Sequence, residues 1–319
     1  MREPDLQWIA EATGARDVRR GERIQSLWSG YGELFRVHLD GATATTAIVK
    51  WVKPPARTRG AKPDVSHARK CRSYDVETAW YRTFASRCEH ECRVPSLIGA
   101  RVVDGQWILA LEDLDAAGFP ERRRGATPSE LDACLAWLAA FHARFLGVAP
   151  AGLWKDGTYW HLATRPDELA ATDDGALREA APVLDRKLRT CAFATIVHGD
   201  AKLANFCFAR GGGAVAAVDF QYVGGGCGMK DVAYLLCGHF GDEARERRHL
   251  DFYFQKLRAA VARRHGDAVD VEALEAEWRA LYPIACADFY RFLAGWAKSQ
   301  WRSDGYGQRL VRTVLRTLA

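Results

Sequence analysis

The 319-residue sequence lacks a long apolar run. Its most apolar stretch, residues 133–141, is nine residues long, whereas a membrane-spanning helix needs about twenty. We therefore expect no membrane partner. The first fourteen residues carry acidic side chains and no apolar core of the kind found in a secretory signal. From this we predict a cytoplasmic protein.

The sequence also lacks a disulfide framework. Its nine cysteines are an odd number, and no two of them are spaced as C-x-x-C. Disulfide frameworks are typical of short secreted domains, so that class is excluded and reduced thiols are expected. The segment Cys88–Cys92 holds two cysteines and one histidine, but without a second cluster it makes a poor zinc site.

A large charge of one sign is missing as well. The 45 Lys and Arg residues and the 40 Asp and Glu residues give a net charge of +5. This net charge is lower than that typical of a dedicated nucleic-acid binder. Basic residues concentrate at 56–72 and at Arg122–Arg124, which we interpret as solvated surfaces. The alternative is a lip that attracts an anionic substrate or a nucleotide. We expect no nucleic-acid partner, although a binder that uses residues 56–72 stays as a rival hypothesis.

Hydrophobic patterning predicts strands in the first part of the chain. Residues 24–39 alternate apolar and polar on both sides of a Gly-x-Gly turn, which predicts a β-hairpin. Residues 45–52 are β-branched and apolar, as in a buried strand. Residues 56–72 are basic and turn-rich, which predicts a loop, and 75–87 have helical spacing. A second hairpin is expected around Asp104-Gly105.

The rest of the chain is predicted to be mainly helical. Thr127–Glu130 forms a capping box with proline at the first helical position. Two long helical patterns follow at 243–264 and 270–298. Strands first and helices second predict an α+β chain of two segregated parts. We divide it into an N-lobe, residues 1–113, and a C-lobe, residues 114–319.

One short segment, from His198 to Asn205, carries the most informative spacing. Asp200 stands two residues after His198, and Asn205 stands five residues after Asp200. These are the intervals of a kinase catalytic loop, in which the carboxylate accepts the proton of the attacking hydroxyl. The amide oxygen can hold Mg²⁺, which prefers oxygen ligands. Asp219 follows fourteen residues after Asn205, where a kinase carries its second metal-binding residue.

The other parts of a phosphoryl-transfer site precede this segment in kinase order. Gly30 and Gly32 lie in the first hairpin, where a flexible backbone can cover phosphates. Lys50 lies mid-strand, where a kinase grips phosphates, and Glu77 follows 27 residues later on a predicted helix. The Glu112–Leu114 segment lies at the junction of the two parts, where backbone groups can bind adenine. Taken alone, Lys50 could be an ordinary strand lysine and Glu77 a solvated helix residue, but the functional interpretation is favoured for both.

These residues, taken together, resemble the aminoglycoside phosphotransferase and choline kinase group of small-molecule kinases, over residues 24–240. The sequence is most similar to the ecdysteroid-kinase-like branch. The motifs that carry this are Ser73-Tyr74 with Glu77 and Tyr81, Leu111–Leu114 with Gly118-Phe119, HGDAKLAN at 198–205, and Asp219-Phe220-Gln221. The resemblance implies a bilobal protein-kinase-like fold with a small antiparallel-sheet N-lobe and a mainly helical C-lobe.

The resemblance implies a role for each polar residue of the catalytic segment. Asp200 is the catalytic base or the carboxylate that orients the hydroxyl, and Lys202 contacts the γ-phosphate. Asn205 and Asp219 are metal ligands. Asp231 braces the catalytic loop.

For the nucleotide, the resemblance implies ATP with Mg²⁺, bound by residues of the first part of the chain. Lys50 grips the phosphates and Glu77 fixes Lys50, while Gly30, Gly32, Glu112 and Leu114 line the nucleotide site. The glycine loop departs from a full G-x-G-x-x-G because Phe35 replaces the third glycine.

The predicted reaction is transfer of the ATP γ-phosphate to a hydroxyl of a small alcohol, amino alcohol, sterol-like or aminoglycoside substrate, by a monomer or homodimer. A non-catalytic pseudokinase and a protein kinase stay as alternatives. HGD in place of HRD, and the lack of Ala-Pro-Glu after Asp219, disfavour the protein kinase. The aromatics of the second part are mostly core, or in part a box for a quaternary ammonium group. Five acidic residues are candidates to face an aminoglycoside: Asp167, Glu168, Asp173, Asp174 and Asp288.

A polycationic substrate would favour a strong excess of acidic residues, and the second part of the chain has none. We therefore favour a mono-cationic or neutral alcohol as the acceptor.

Overall fold

Alternating apolar residues in the first part of the chain build a five-stranded antiparallel sheet. The computed structural model describes residues 6–55, 65–237 and 242–318. The strands are β1 (Asp17–Ser26), β2 (Gly32–Asp40), β3 (Thr46–Val52), β4 (Leu97–Val103) and β5 (Gln106–Glu112). Their order in the sheet is β1-β2-β3-β5-β4. Both predicted hairpins and the predicted strand at 45–52 are confirmed, with β3 in the centre of the sheet.

Two helices accompany this sheet, and one of them corrects the sequence prediction. They are α1 (Gln7–Thr13) and α2 (Val65–Thr83). The helix expected at 75–87 is present but begins earlier, so the loop predicted at 56–72 is wrong over residues 65–72. The remainder of that loop, residues 56–64, lies outside the described residues.

The early start of α2 has a tertiary cause. Its first turns carry no apolar stripe that would mark a helix in the sequence, and polar contacts to distant segments hold them instead. Arg69 donates to the carbonyl of Thr164 at 2.8 Å. Arg72 donates to the carbonyls of Gly152 and Leu153, both at 3.1 Å. These carbonyls lie 80, 81 and 95 residues further along the chain than the arginines that bond them. Local patterning could not reveal contacts over such separations.

The second part of the chain is mainly helical, as predicted. Its helices are α3 (Pro128–Arg144), α4 (Pro166–Ala171), α5 (Gly175–Arg189), α6 (Met229–Leu236), α7 (Glu243–His265), α8 (Val271–Trp296), α9 (Lys298–Ser303) and α10 (Gly305–Leu318). Four short strands lie among them: β6 (Thr195–Val197), β7 (Phe206–Phe208), β8 (Val215–Ala217) and β9 (Gly224–Gly226). The capping box is confirmed, since the side chains and backbones of Thr127 and Glu130 bond reciprocally. No helix within the described ranges is long and apolar enough to cross a membrane.

One apolar core joins α2 to the helical part. Trp80 of α2 is fully buried and stacks on Phe220 with ring centroids 4.6 Å apart. It also meets Phe141 of α3 at 5.6 Å. Phe220 directly follows Asp219 in the chain. The packing of Trp80 on Phe220 therefore fixes how far α2 lies from Asp219.

Candidate active site

A buried lysine connects the sheet to the helical part. Lys50 lies mid-strand in β3, paired in register with Leu34 of β2 and Leu109 of β5. Its Nζ donates to Glu77 of α2 at 2.8 Å and to Asp219 at 3.2 Å. The predicted Lys50–Glu77 pair is therefore formed, and a second carboxylate from the other part of the chain joins it.

The charges of Lys50, Glu77 and Asp219 stabilise one another. Burial opposes the charge of Lys50, but Asp219 and Glu77 outweigh it and raise the pKa of Lys50 above its usual range. Burial likewise opposes the charge of Asp219, but Lys50 and Lys202 lower its pKa. Burial raises the pKa of Glu77 to about 7, against the pull of Lys50. Lys50 thus stays protonated, as a phosphate-binding cation must.

The loop after β6 gathers the polar side chains of the predicted catalytic segment. Lys202 Nζ donates to Asp200 Oδ2 at 2.8 Å, and Asn205 Nδ2 donates to the same oxygen at 2.9 Å. Asp200 is buried, and its Oδ1 accepts no hydrogen bond of ordinary geometry from any described residue. Burial and the neighbouring Asp200 carboxylate raise the pKa of Tyr234 on α6. An oriented carboxylate with one oxygen left over is suited to accept a proton.

Burial also raises the pKa of Asp200 itself above its ordinary value, while the charge of Lys202 opposes the shift. A carboxylate with a raised pKa is a stronger base once ionised, which favours a proton-accepting role. The same desolvation raises the strength of every charge interaction in the loop.

Asp231 at the start of α6 holds the backbone of the catalytic loop. Its two oxygens accept from the backbone N–H of His198 at 2.6 Å and of Gly199 at 2.9 Å. His142 of α3 donates to Asp231 at 3.0 Å. The predicted bracing by Asp231 is confirmed, and His142, which is fully buried, supports it. His198 Nε2 donates to the carbonyl of Val218, which leads into Asp219.

Two residues of the site have left-handed backbone conformations. Gly199 has φ of 81°, and a Cβ at this position would lie 2.0 Å from the carbonyl oxygen of Tyr222, so only glycine fits. Asp219 has φ of 68°, which is strained for a residue with a side chain. Its Oδ1 accepts from Gln221 Nε2 at 2.7 Å, and Ser73 of α2 donates to Gln221 at 3.1 Å. Sequence reasoning quoted Gln221 and Ser73 only as motif residues and missed their contact.

The glycines of the first hairpin form a tight turn over the end of β3. Gly30 and Gly32 both have positive φ, at 71° and 137°. A Cβ on Gly32 would lie 2.0 Å from the carbonyl oxygen of Trp51, so a side chain is excluded there. Phe35, which stands in place of a third glycine, is fully buried in β2 and belongs to the apolar core of the sheet.

The first turns of α2 lie against this glycine loop. The hydroxyl of Tyr31 and Nδ1 of His67 are hydrogen-bonded at 2.6 Å. Lys70 Nζ donates to Ser29 at 2.9 Å and lies 4.6 Å from the ring centroid of Tyr31. Sequence reasoning missed His67 and Lys70 because it predicted a loop for residues 65–72.

The predicted adenine segment follows β5 directly. The carboxylate of Glu112 is committed to the guanidinium of Arg93 and to the backbone N–H of Ser96, the latter at 2.9 Å. The Leu114 side chain is buried. The nucleotide roles predicted for Glu112 and Leu114 therefore rest on their backbone groups.

The residues predicted as metal ligands have the right donor atoms for Mg²⁺. Asn205 uses its Nδ2 to bond Asp200, which leaves its oxygen. Asp219 uses Oδ1 to bond Lys50 and Gln221, which leaves Oδ2 on a side chain that is 34% exposed. Within the described ranges no three His, Cys, Asp or Glu side chains are grouped to hold a metal. Two protein oxygens, completed by phosphate and water, are a usual set for Mg²⁺.

A sequence model of a phosphotransferase enzyme family matches residues 64–264, more than half of the chain. The chain belongs to this phosphotransferase family. The match includes Glu77, the catalytic segment and Asp219, while Lys50 and the glycine loop precede it. A search of curated proteins found no match.

Solved structures of similar fold include several small-molecule kinases. A Thermobifida fusca protein assigned as a fructosamine-3-kinase is 18% identical, with a TM-score of 0.51, and the alignment covers 96% of this chain and 98% of that one. A Streptomyces rimosus aminoglycoside phosphotransferase, solved with ADP and streptomycin, is 15% identical (81% and 92% covered, TM-score 0.46). A choline kinase of Streptococcus pneumoniae is 13% identical (98% and 96% covered, TM-score 0.44). The first of these shows the fold of this phosphotransferase, a sheet followed by a helical part, as the resemblance implied.

The brace on the catalytic loop yields a stability prediction. Asp231→Asn replaces one acceptor oxygen by an amide that cannot accept, so one of the buried donors loses its partner. We expect the free energy of unfolding in urea to fall by about 1–3 kcal/mol. The exposed carboxylate of Asp173, paired with Lys298 and Arg302, provides the control. Asp173→Asn should cost no more than about 1 kcal/mol, and equal losses for the two variants would contradict the bracing role.

Proposed function

We propose that this phosphotransferase is a small-molecule kinase, which transfers the γ-phosphate of ATP to a hydroxyl of a small alcohol. The observation that carries the proposal is the contact of Lys50 with Asp219 at 3.2 Å, next to the Asp200–Lys202–Asn205 cluster. It brings a phosphate-binding cation from the sheet against the carboxylates of the catalytic segment. That juxtaposition suits a polyphosphate lying between the two parts of the chain.

Asp200 is the proposed base in the transfer step. The acceptor O–H bond breaks as its proton passes to the free Oδ1 of Asp200. The acceptor oxygen bonds to the γ-phosphorus, and the bond from this phosphorus to its bridging oxygen breaks, so that ADP leaves. Lys202, already within 2.8 Å of Asp200, lies where it can stabilise negative charge on the transferred group.

Lys50 holds the α- and β-phosphates in this proposal, and Glu77 orients Lys50. Gly30 and Gly32 let the backbone approach the phosphates, and Glu112 and Leu114 offer backbone groups to adenine. Asn205 and Asp219 would hold Mg²⁺, which when bound neutralises charge on the phosphates. The polar atoms that Asn205 and Asp219 leave available support the Mg²⁺ role. The Glu112 N–H already donates to the Ser96 carbonyl and the Leu114 carbonyl already accepts from Phe119, so adenine would use the other backbone groups of this segment.

The division of labour between the two parts is also a proposal. Residues 1–113 would act as the N-lobe that covers the nucleotide, and 114–319 as the C-lobe that carries catalysis and the acceptor. Further predictions from the sequence stay predictions: the ecdysteroid-kinase-like branch, a cytoplasmic location, a monomer or homodimer, and no nucleic-acid partner.

The proposed function is tested by supplying ATP and Mg²⁺ with a panel of alcohols, amino alcohols, sterols and aminoglycosides. We expect one class to gain the mass of a phosphoryl group, at a rate that depends on Mg²⁺. Nucleotide binding without any phosphorylated acceptor would favour the pseudokinase alternative. Phosphorylation of a peptide array, with none of the small molecules, would favour the protein kinase.

A further inference from the structure

An aromatic surface borders the catalytic loop. The backbone N–H of Tyr159 donates to the carbonyl of Gly199 at 2.7 Å. Lys202 Nζ lies 6.0 Å from the centroid of the Tyr159 ring. Since Gly199 and Lys202 lie on either side of Asp200 in the chain, the Tyr159 ring lies close enough to Asp200 to contact an acceptor bound there.

The surface continues from Tyr159 to an exposed tryptophan at the end of α8. The Tyr159 ring meets Phe292 at 5.6 Å and Trp296 at 6.3 Å, both edge to face. Phe292 and Trp296 stack on each other at 5.7 Å. Trp296 is 57% exposed, so a large part of its ring can take a ligand. We call Tyr159, Phe292 and Trp296 the aromatic cage.

The aromatic cage already holds a cation of the protein. The guanidinium carbon of Arg165 lies 3.9 Å from the Tyr159 centroid, 5.5 Å from Phe292 and 6.0 Å from Trp296. Arg165 is buried, and it donates to the Tyr159 carbonyl at 2.8 Å and to Glu168 at 3.1 Å. If these aromatics are the alternative box for a quaternary ammonium group, its cation position is already taken by Arg165. A ligand cation would have to displace Arg165, whose charge is paired with Glu168.

The acidic residues that were candidates to face an aminoglycoside are mostly committed elsewhere. Four of the five have partners of their own. Glu168 bonds Arg165, Asp173 pairs with Lys298 and Arg302, Asp174 caps α5 through the N–H of Leu177, and Asp288 pairs with Arg291 at 2.8 Å. Only Asp167, on the short helix α4, has no partner of this kind among the described contacts. A polycation would therefore find little uncompensated negative charge here.

We infer that the acceptor is an uncharged alcohol with a flat apolar ring, which stacks on Trp296 and directs its hydroxyl to Asp200. This inference rests on the proposed function. Ring stacking uses the exposed face of Trp296 without displacing Arg165. A positive group would have to displace Arg165 to reach the ring faces of the aromatic cage.

Three acceptors test the inference: 2-naphthaleneethanol, which carries a flat apolar ring, and the isosteric pair 3,3-dimethylbutan-1-ol and choline, which differ in charge. We expect kcat/KM with ATP and Mg²⁺ to be at least tenfold higher for 3,3-dimethylbutan-1-ol than for choline, and highest for the naphthyl alcohol. Kanamycin serves as the polycation. Higher kcat/KM for choline or kanamycin would overturn the inference and leave the proposed function standing. Phosphorylation of no acceptor, with nucleotide still bound, would overturn both.

A substitution separates ring stacking from a general effect on the fold. Trp296→Ala should raise KM for the naphthyl alcohol about tenfold, with kcat and KM for ATP within about twofold. Val103→Ala, at a position of similar exposure (54%) on β4, is the control and should change neither. An unchanged KM for the naphthyl alcohol in Trp296→Ala would overturn the stacking role.

Discussion

Asp200→Asn is expected to lower turnover of the phosphorylated acceptor by roughly 10²–10⁴-fold, the usual range for a general base. The amide retains the shape of the side chain, and its oxygen can still accept from Lys202 or Asn205. What disappears is the negative charge, and with it the ability of Oδ1 to take the hydroxyl proton. Nucleotide affinity should change far less than turnover, because the amide oxygen of the variant still accepts from Lys202 or Asn205. Rates with ATP, Mg²⁺ and the acceptor found in the panel give the measurement.

The pH profile adds a second readout for Asp200. The base must be ionised, and burial raises its pKa, so turnover should rise with pH through that pKa and then level. Asp200→Asn should remove this acidic limb from whatever activity remains. Asp40→Asn changes an exposed carboxylate paired with Arg16 and should leave the profile unchanged. Full turnover in Asp200→Asn would refute the proposed mechanism.

Asp219→Asn is expected to abolish the Mg²⁺-dependent part of ATP affinity and to lower turnover on the order of 10³-fold. Metal neutralisation of phosphate charge contributes several kcal/mol to phosphoryl transfer, and each 1.36 kcal/mol is about tenfold in rate. Lys50 keeps its bond to Glu77 in this variant, so binding of ATP without metal should persist. Calorimetric titrations with ATP, in the presence and absence of Mg²⁺, separate the two components.

The control for this experiment is an exposed carboxylate outside the site. Asp251 pairs with Arg279 and is 58% exposed, so Asp251→Asn should bind ATP and Mg²⁺ as the unmodified protein does. The circular dichroism and unfolding midpoint of Asp219→Asn should stay near those of the control. An Mg²⁺-dependent gain in ATP affinity as large in Asp219→Asn as in Asp251→Asn and the unmodified protein would contradict the ligand role of Asp219.

Much of the candidate site was open to prediction because its signals are local. The spacing from His198 to Asn205 is compressed into one loop, and a loop of that length can bring its own side chains together. Lys50 stands in a β-branched run that forms a strand by patterning alone, and the first hairpin is marked by its glycines. In each case the residues that decide the structure are close in the sequence.

Contacts between distant segments were not open to prediction in the same way. Arg36 of β2 donates to Asp113, 77 residues later, at 2.6 Å, and their pairing buries a carboxylate next to the adenine segment. Nothing near either residue marks this pair. The early turns of α2 were missed for a related reason, since carbonyls far along the chain hold them.

The sequence by itself predicted the hairpins of the first part, the helical second part and the family, and it supplied the candidate phosphoryl-transfer residues, because periodicity and short spacings carry that information. Only the tertiary structure decided which charges remain available. Arg165 enters the aromatic cage, and the nearby acidic residues find partners, through side-chain packing across α4, α8 and the catalytic loop. A count of aromatic and acidic residues leaves cationic acceptors open, whereas the filled aromatic cage and the paired carboxylates of the fold favour an uncharged one. The physical reason is that a charge already neutralised by burial contacts has little attraction left for a ligand.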